Sequence, residues 1–446
     1  MAVAVARARD SDGSVLYRVT GIDLPTSQGL ERVNALRRGR FPFPTADSTL
    51  ISALNCAHEA GNLTATTDES AYETADVVVI DVAFEIAFLE QRPQLQLEGL
   101  EQAVRSIGQR ISEGALVLVE TTVPPGTCEK VVAPILQYEL RRRGMDEHAV
   151  YLAHSFERVM PGDGYLESIT SFWRAYAGLT PEAAAVCEDF LSSIVDVERF
   201  PLMQLSSMTA SETAKVIENT YRAANIAFID EWTKYAEAVG VDLYEVTDAI
   251  RIRPTHSNIR FPGLGVGGFC LTKDPALAPL AARQLHGLKG FDFPFSQLAM
   301  KVNYEMPLHT VARLETLLGG NSKNKSILVL GVSYRQDIGD TRYSPAETLV
   351  RALEDSGAMV TCYDPFVPYW LEMDRSLPPD LPNPNGFDAI VIATPHKEFI
   401  SLDILEWLDG ACPVILDTAN VLTLNVRRRC RKAGIQVESI GRGDGL

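Results

Sequence analysis

One stretch of the sequence combines a candidate nucleophile with a backbone that can approach a ligand closely. Residues 263–275 read Gly-Leu-Gly-Val-Gly-Gly-Phe-Cys-Leu-Thr-Lys-Asp-Pro. Glycine permits positive φ and a close approach of the backbone to a ligand, and a thiolate beside a cation is a strong nucleophile. The stretch predicts a pocket walled by Gly263, Gly265, Gly267 and Gly268, with Cys270 as a covalent catalyst. The alternative is a surface loop that carries a buried, inert cysteine.

Two charged residues and a proline complete this stretch. Lys273 and Asp274 follow Cys270 closely, and this proximity favours the catalytic interpretation over the inert one. Pro275 suits the first turn of a helix, because it lacks an N–H that would need a partner there. A helix is accordingly predicted over residues 276–282.

Polar residues at the ends of predicted strands are the next candidates. Thr122 follows a buried strand at 115–120, and Glu157 follows a short strand at 149–154. Ligands of doubly wound sheets bind at the carboxyl ends of the strands. Glu157 is a candidate general base, the alternative being a solvated loop carboxylate. Asp23 ends a strand at 15–23 and is a candidate for holding the ribose of a dinucleotide; the alternative is a helix cap or turn residue.

Other candidates lie on or beside predicted helices. A helix without a breaker is predicted from residue 211 to about residue 239, and it carries Lys215 and Asn219 four positions apart on one face. The two side chains are predicted either to point into a pocket or to form a solvated polar stripe. Arg342 precedes another predicted helix, where it is suited to phosphate recognition. The alternative is a surface arginine beside a Ser-Pro turn.

These residues are embedded in a repeating pattern of strands and helices. Buried strands are predicted at 15–23, 75–82, 115–120 and 149–154, with 171–178 and 195–200 completing a first sheet. After a polar break at 319–325, strands at 326–331, 359–365, 389–394 and 414–417 form a second sheet. The predicted fold is therefore α/β, with two Rossmann-like parallel-sheet domains joined by a long central helix and a helical domain. The predicted boundaries are 1–205, 206–318 and 319–446, with the active site in an interdomain cleft.

The composition excludes several classes of protein. The 446 residues carry a formal net charge of -17, which argues against nucleic-acid binding. Seven scattered cysteines without a C-x-x-C pair predict neither a disulfide framework nor a zinc site. The histidines show no metal-ligand spacing, no apolar run is long enough to span a membrane, and no signal peptide is evident. We therefore expect a cytoplasmic enzyme without a metal and without nucleic-acid or membrane partners.

The motifs described above resemble those of the UDP-glucose/GDP-mannose dehydrogenase family, over nearly the whole chain. The segments that carry the resemblance are 121–127 (Thr-Thr-Val-Pro-Pro-Gly-Thr), 157–162 (Glu-Arg-Val-Met-Pro-Gly), the helix at 212–219, 265–275 and 340–345 (Asp-Thr-Arg-Tyr-Ser-Pro). The resemblance implies two Rossmann-like domains, a homodimer formed through the central helices, and a place in polysaccharide biosynthesis.

The resemblance also implies an activity and a set of site residues. The activity is the four-electron oxidation of a UDP-sugar C6 alcohol to the carboxylate with two NAD+, through a thiohemiacetal and a thioester on Cys270. Lys215 and Asp274 would serve alcohol oxidation and stabilise the oxyanion, Glu157 would assist thioester hydrolysis, and Asn219 and Thr122 would position water and the reacting oxygen. The implied cofactor contacts are Asp23, Thr122, Glu157, Lys273 and Arg342. The implied substrate contacts are Lys215, Asn219, Arg260, Gly263, Gly265, Gly267, Gly268 and Arg342.

Two parts of the sequence differ from the usual pattern of the family. One bears on the choice of sugar, and the other is the beginning of the chain. The segment 157–162 is similar to the branch that oxidises UDP-N-acetylhexosamines, although Phe156 stands where the family usually has proline; UDP-glucose is the alternative substrate. The family's first strand and G-x-G-x-x-G turn do not precede Asp23. We expect that the start codon lies upstream; the alternative is a degenerate relative deficient in NAD binding.

Two other functions remain open from the sequence. The first is a non-catalytic protein that binds nucleotide sugars, which the missing glycine turn favours and the retained Cys270 opposes. The second is a single-step hydride-transfer enzyme of the 6-phosphogluconate dehydrogenase type, which needs no nucleophilic cysteine.

Overall fold

The secondary structure alternates between strands and helices along most of the chain. A computed structural model describes residues 1–43, 45, 47–82, 85–89, 92–159, 162 and 164–443. The strands are β1 (Val19–Ile22), β2 (Leu63–Thr66), β3 (Val77–Ile80), β4 (Glu85–Leu89), β5 (Arg92–Gln96), β6 (Leu116–Val119), β7 (Tyr151–Ser155), β8 (Ala175–Gly178), β9 (Met203–Gln204), β10 (Ser326–Leu330), β11 (Met359–Tyr363), β12 (Tyr369–Trp370), β13 (Arg375–Ser376), β14 (Ala389–Ile392), β15 (Val414–Asp417) and β16 (Val437–Ser439). The α-helices are α1 (Ala2–Arg7), α2 (Ser27–Arg37), α3 (Ser48–Glu59), α4 (Glu98–Gly108), α5 (Ala133–Arg142), α6 (Glu167–Thr170), α7 (Pro181–Ser192), α8 (Met208–Val239), α9 (Leu243–Arg251), α10 (Leu277–Gln284), α11 (Pro294–Leu317), α12 (Pro345–Asp355), α13 (Lys397–Ser401), α14 (Ile404–Leu408) and α15 (Leu424–Lys432).

The chain divides into two compact units. The first unit contains Met1–Glu218 and Ala276–Asp292, and the second contains Asn219–Pro275 and Phe293–Leu446. The long helix α8 begins in the first unit and ends in the second. No helix in the described part of the chain is both long and apolar enough to cross a membrane.

The first unit is built on a sheet with the strand order β3-β6-β7-β8-β9. Strands β3, β6 and β7 run parallel, and β8 runs antiparallel to β7. All of β6 is buried, which is typical of a parallel strand covered on both faces. Leu116 and Leu118 pack in one core with α3 and α7, whereas Val117 and Val119 pack in the other with α4 and α5. Strands β1 and β2 form a separate parallel pair.

The second unit contains an all-parallel sheet with the order β11-β10-β14-β15-β16. Alternate residues of β10 again serve two cores. Ile327 and Val329 pack with α11 and α12, and Leu328 and Leu330 pack with α13, α14 and α15. Both units therefore have helices on the two faces of a sheet, which confirms the predicted α/β class with Rossmann-like sheets.

Three details of the first sheet differ from the prediction. The strand predicted at 15–23 is the shorter β1, which pairs with β2 outside the five-stranded sheet. Residues 195–200 form turns rather than a strand, because Asp196 accepts hydrogen bonds from the N–H groups of Arg199 and Phe200; the edge strand is β9 instead. The sheet is also not purely parallel, since the chain returns from β7 to β8 at the same edge. The antiparallel hairpin β4–β5 is absent from the sequence-based prediction. The predicted long helix is confirmed as α8.

Candidate active site

Lys215 lies on the part of α8 that belongs to the first unit. Only 6% of its surface is exposed, so it is not part of a solvated polar stripe. Its Nζ donates a hydrogen bond to the backbone carbonyl of Glu157 at 2.7 Å and lies 5.6 Å from the centroid of the Phe156 ring. The Arg158 guanidinium lies 5.0 Å from the same ring and is bonded to Glu218. Phe156, which replaces the family's usual proline, thus attracts two cations to the loop after β7.

The Glu157 carboxylate turns back on its own loop. Its Oε2 accepts a hydrogen bond from the backbone N–H of Val159, while the side chain remains partly exposed. The structure therefore brings Glu157 and Lys215 together through the Glu157 carbonyl rather than through its carboxylate. Met160 and Pro161 of the same motif lie outside the described residues.

Thr122 lies in the loop that leaves the carboxyl end of β6, and it is partly exposed. The end of this loop is held from α8. Glu212, which is fully buried, accepts hydrogen bonds from the backbone N–H groups of Gly126 at 2.5 Å and Cys128 at 2.7 Å. A second contact comes from His286, whose Nε2 donates to the carbonyl of Pro125 at 2.9 Å. The loop that presents Thr122 is consequently fixed at its far end on two sides.

Asp23 follows the carboxyl end of β1. Its carboxylate accepts hydrogen bonds from the Arg32 guanidinium at 2.9 Å and from the backbone N–H of Leu24 at 2.8 Å. A side chain at Gly29 would collide with the Leu24 carbonyl at 2.0 Å, so the start of α2 approaches this strand end closely. The Asp23 carboxylate is partly exposed and is already paired with the Arg32 guanidinium. The contact of Asp23 with the ribose of a dinucleotide therefore stays a prediction.

The second unit contains the glycine-rich stretch, in which Gly265, Gly267 and Gly268 are required by close neighbours, whereas the nearest atom to a Cβ on Gly263 would be a backbone oxygen at 4.0 Å. A Cβ on Gly267 would lie 2.5 Å from Tyr334 Cβ, and one on Gly268 would lie 2.8 Å from Tyr334 Cε2. A Cβ on Gly265 would lie 2.8 Å from Pro345 Cβ. Gly268 has a φ of +81° and donates a backbone hydrogen bond to the carbonyl of Arg342 at 3.1 Å. These glycines therefore face the protein's own segment 334–345, in addition to any ligand.

Cys270 is exposed, contrary to the inert alternative. Its carbonyl accepts hydrogen bonds from the backbone N–H groups of Lys273 at 3.2 Å and Asp274 at 2.9 Å, which forms a turn. Asp274 is fully buried, and its two carboxylate oxygens are bonded to Lys273 Nζ and to Asn219 Nδ2, each at 2.6 Å. The structure thus brings Asn219, Lys273 and Asp274 into one buried cluster, connected through a single turn to an exposed thiol.

Two arginines of the second unit carry charge beside this stretch. Arg342 forms a bidentate pair with Asp340, at 3.0 and 2.7 Å, and this hydrogen bonding raises the pKa of Arg342. Arg260 keeps much of its surface exposed to solvent. The part of it that is desolvated and the charges of Arg222 and Arg251 lower its pKa. Three neighbouring cations favour an anionic ligand, whereas Arg342 is already occupied by a carboxylate.

Three side chains at these sites are missing from the set predicted from the sequence. Tyr334 forms the wall behind Gly267 and Gly268, and its burial raises the pKa of the phenol. The Phe269 ring lies 4.6 Å from Lys273 Nζ and 5.9 Å from the Arg342 guanidinium carbon. Glu212 is the third. Glu212 shares the motif of Lys215 and Asn219, so its spacing on the helix was the signal that could have identified it.

Comparison with known proteins assigns three segments of the chain to one family. Models of the UDP-glucose/GDP-mannose dehydrogenase family match residues 13–175 (NAD binding domain), 209–305 (central domain) and 328–424 (UDP binding domain). UDP-N-acetyl-D-mannosamine dehydrogenase of Pyrococcus horikoshii is 35% identical over 356 residues, which are 78% of each chain.

Two solved structures have the same overall fold. The structure of UDP-D-ManNAc dehydrogenase from Pyrococcus horikoshii has a TM-score of 0.80 at 30% identity, covering 99% of this chain and 96% of that one. A UDP-glucose dehydrogenase from Pyrobaculum islandicum also has a TM-score of 0.80, at 25% identity and with 99% and 94% coverage.

The contact between the glycines and Tyr334 predicts a measurable cost for a single methyl group. Gly410 provides the control, because its φ is +87° but no atom lies within 4 Å of its missing Cβ. Gly410→Ala should lower the free energy of unfolding only by the backbone strain of about 1–2 kcal/mol. Gly268→Ala should cost roughly 1–3 kcal/mol more, because the methyl group overlaps the ring. Urea unfolding of both variants measures the difference, and equal losses would contradict the proposed contact.

Proposed function

Since this chain belongs to the UDP-glucose/GDP-mannose dehydrogenase family, and is thus an NAD-dependent oxidoreductase, we propose that it oxidises the C6 alcohol of a UDP-N-acetylhexosamine to the carboxylate. The observation that carries this proposal is the buried Asn219–Lys273–Asp274 cluster, one turn from the exposed Cys270 thiol. The named relative from Pyrococcus horikoshii and the segment 157–162 support the N-acetylhexosamine. The Pyrobaculum islandicum structure makes UDP-glucose the second candidate.

Cys270 supplies the covalent step of the proposed reaction. Its sulfur adds to the carbonyl carbon of the C6 aldehyde, and the thiol proton passes to the carbonyl oxygen, which gives a thiohemiacetal. NAD+, when bound, is the hydride acceptor for both the alcohol and the thiohemiacetal. Water then attacks the resulting thioester, releases the carboxylate and returns the thiol. An exposed cysteine suits this role, because its sulfur is accessible to an aldehyde.

The charged residues of each unit have separate roles in this scheme. In the first unit, the Glu157 carbonyl fixes the Lys215 ammonium, which stabilises negative charge that develops on the reacting oxygen. Thr122 positions the same oxygen, and the Glu157 carboxylate assists attack by water. In the second unit, Lys273 and Asn219 orient the buried Asp274 carboxylate, which serves the oxidation of the alcohol. Arg260 and Arg342 provide charge for the diphosphate.

The first test is NADH formation with UDP-ManNAc, UDP-GlcNAc and UDP-glucose. We expect two NADH for each sugar oxidised and a carboxylate as the product, with kcat/KM at least about 10-fold higher for a UDP-N-acetylhexosamine than for UDP-glucose. A preference for UDP-glucose would favour the second candidate. No NADH together with tight UDP-sugar binding would identify a non-catalytic protein, and one NADH per sugar would identify a single-step enzyme.

Replacement of the nucleophile tests the covalent step. Cys270→Ser should reduce carboxylate formation on the order of 10³-fold or more, because the remaining hydroxyl is a poor nucleophile at neutral pH. Mass spectrometry of the quenched wild-type enzyme should show a sugar adduct on Cys270 that the variant lacks. Cys412→Ser, which changes another exposed thiol of the second unit, is the control and should retain full turnover. Full turnover of Cys270→Ser to the carboxylate would rule out the covalent role.

The proposed enzyme is a homodimer formed through the second-unit part of α8. Phe228, Trp232 and Tyr235 recur there at helical spacing, are all exposed, and contact each other edge-on at 6.3 and 5.6 Å between ring centroids. A run of exposed aromatic side chains on one helix face is typical of a protein interface. The family resemblance indicates a second copy of this chain as the partner.

Sedimentation equilibrium of a charged variant checks the dimer. The wild-type chain of 48.9 kDa should sediment at twice that mass. Trp232→Glu should sediment as a monomer, because a carboxylate cannot be buried there without a partner. Ile400→Glu changes another exposed apolar side chain of the second unit and should remain dimeric. A wild-type monomer at micromolar concentration would contradict the proposal.

A further inference from the structure

We propose that Glu212 is a positioning residue, whose buried carboxylate fixes the loop of Thr122 to the helix turn that carries Lys215. This inference rests on the proposed function, because it concerns how two of its residues are held. All of the groups involved belong to the first unit.

The Glu212 carboxylate uses both of its oxygens on one short turn. Oε2 accepts the N–H of Gly126 and Oε1 accepts the N–H of Cys128. Between them lies Thr127, whose hydroxyl donates to the carbonyl of Pro124 at 2.6 Å. The helix that continues into α5 begins at this turn, so the carboxylate also satisfies N–H groups that lack a partner within that helix. A displacement of the turn would therefore leave backbone N–H groups buried and unpaired.

The Glu212 carboxylate lies on α8, whereas the loop that it holds follows β6. Glu212 and Lys215 are three residues apart on α8, so their side chains leave the same face of the helix. The loop has little freedom on its other side, because a Cβ on Gly126 would lie 2.5 Å from His286 Nε2. Thr122 begins this loop, and Lys215 is held by the next loop of the sheet. Glu212 thus determines the position of Thr122 relative to the helix that carries the ammonium.

Protonation of Glu212 should loosen this anchor. A neutral carboxyl group keeps one good acceptor oxygen, and its hydroxyl would face a backbone N–H. Burial raises the pKa of Glu212 to about 7, although the backbone N–H groups of Cys128 and Gly126 favour the anion. Other ionisable groups near this site are Glu129, which also raises this pKa, the Cys128 thiol, whose own pKa is well above normal, Lys130 and His286. From β7, His154 contacts Ser211 and the backbone of Thr121, and its burial lowers its pKa to about 3.

If protonation of Glu212 lowers the activity in acid, a loss of folding stability caused by Glu212 cannot be the reason. Because its pKa is higher in the folded chain than the usual 4.5, the folded state binds the proton more tightly. The contribution of Glu212 to stability therefore increases as the pH falls from about 7 towards 4.5. The anchor, in contrast, weakens over the same range. Activity and stability are thus expected to change in opposite directions, which separates positioning from a purely structural role.

Glu212→Gln tests the inference, since the amide has one acceptor oxygen and cannot ionise. With UDP-ManNAc at pH 8, its kcat should fall about 10- to 100-fold through misplacement of Thr122, while KM changes much less. The acid limb near pH 7 of the wild-type kcat profile should be absent. Glu212→Asp keeps the charge and should recover part of kcat together with the acid limb. Glu139→Gln is the matched control, because Glu139 is also a buried carboxylate of the first unit, paired with Arg105 and Arg142.

Hydrogen exchange provides a second measurement that does not depend on turnover. Backbone N–H groups in a peptide covering residues 121–132 should exchange faster in Glu212→Gln than in the wild type, and Glu139→Gln should leave them unchanged. A Glu212→Gln enzyme that retains the wild-type kcat and acid limb would overturn the inference, as would unchanged exchange in this peptide. If Glu212→Gln does not fold, Glu212→Asp decides through the same two measurements. A wild-type chain that produces no NADH with any UDP-sugar would instead overturn the proposed function, while the exchange result would still judge the anchor.

Discussion

The strictest constraint on this molecule comes from its polar and charged side chains that are buried away from water. An unpaired ionised group in a protein interior costs several kcal/mol, so each one must have a partner. Within its first turns, α8 buries Ser211, Glu212 and Lys215, and each of them is bonded to a strand or to a loop that follows a strand of the first sheet. The position of the helix on the carboxyl ends of β6 and β7 follows from these partners. Apolar packing alone would permit the helix to slide along the sheet.

The second unit satisfies the same constraint with side chains rather than with backbone. Asp274 has both carboxylate oxygens occupied, one by an ammonium and one by an amide. The Lys273 ammonium also lies over the Phe269 ring, which stabilises the charge without neutralising it. A turn as short as that from Cys270 to Asp274 can therefore hold opposite charges close to an exposed thiol.

The sequence was sufficient to predict the strands and helices that recur along the chain. It was insufficient to predict which distant residues contact one another. The buried strands, the extent of α8 and the two α/β units follow from apolar periodicity and from the absence of helix breakers, which are local properties. The antiparallel direction of β8 depends on the path of a loop, and the turn at Asp196 depends on one hydrogen-bonding side chain. The partners of Glu212 lie 84 and 86 positions away in the chain, so no local pattern reveals them. The pocket wall predicted for the glycines stays a prediction, whereas the structure shows that Gly265, Gly267 and Gly268 lie against Pro345 and Tyr334 of the protein itself.

The contact of Gly267 and Gly268 with Tyr334 also has an evolutionary consequence. A side chain at Gly268 overlaps the Tyr334 ring, whereas one at Gly267 overlaps the Tyr334 Cβ and Pro345. The substitutions tolerated at one site therefore depend on the residue at the other, although the two sites are 66 positions apart in the chain. Among related sequences, alanine or serine at position 268 should accompany a residue smaller than tyrosine at position 334. Substitutions in these two segments would then be correlated among related sequences.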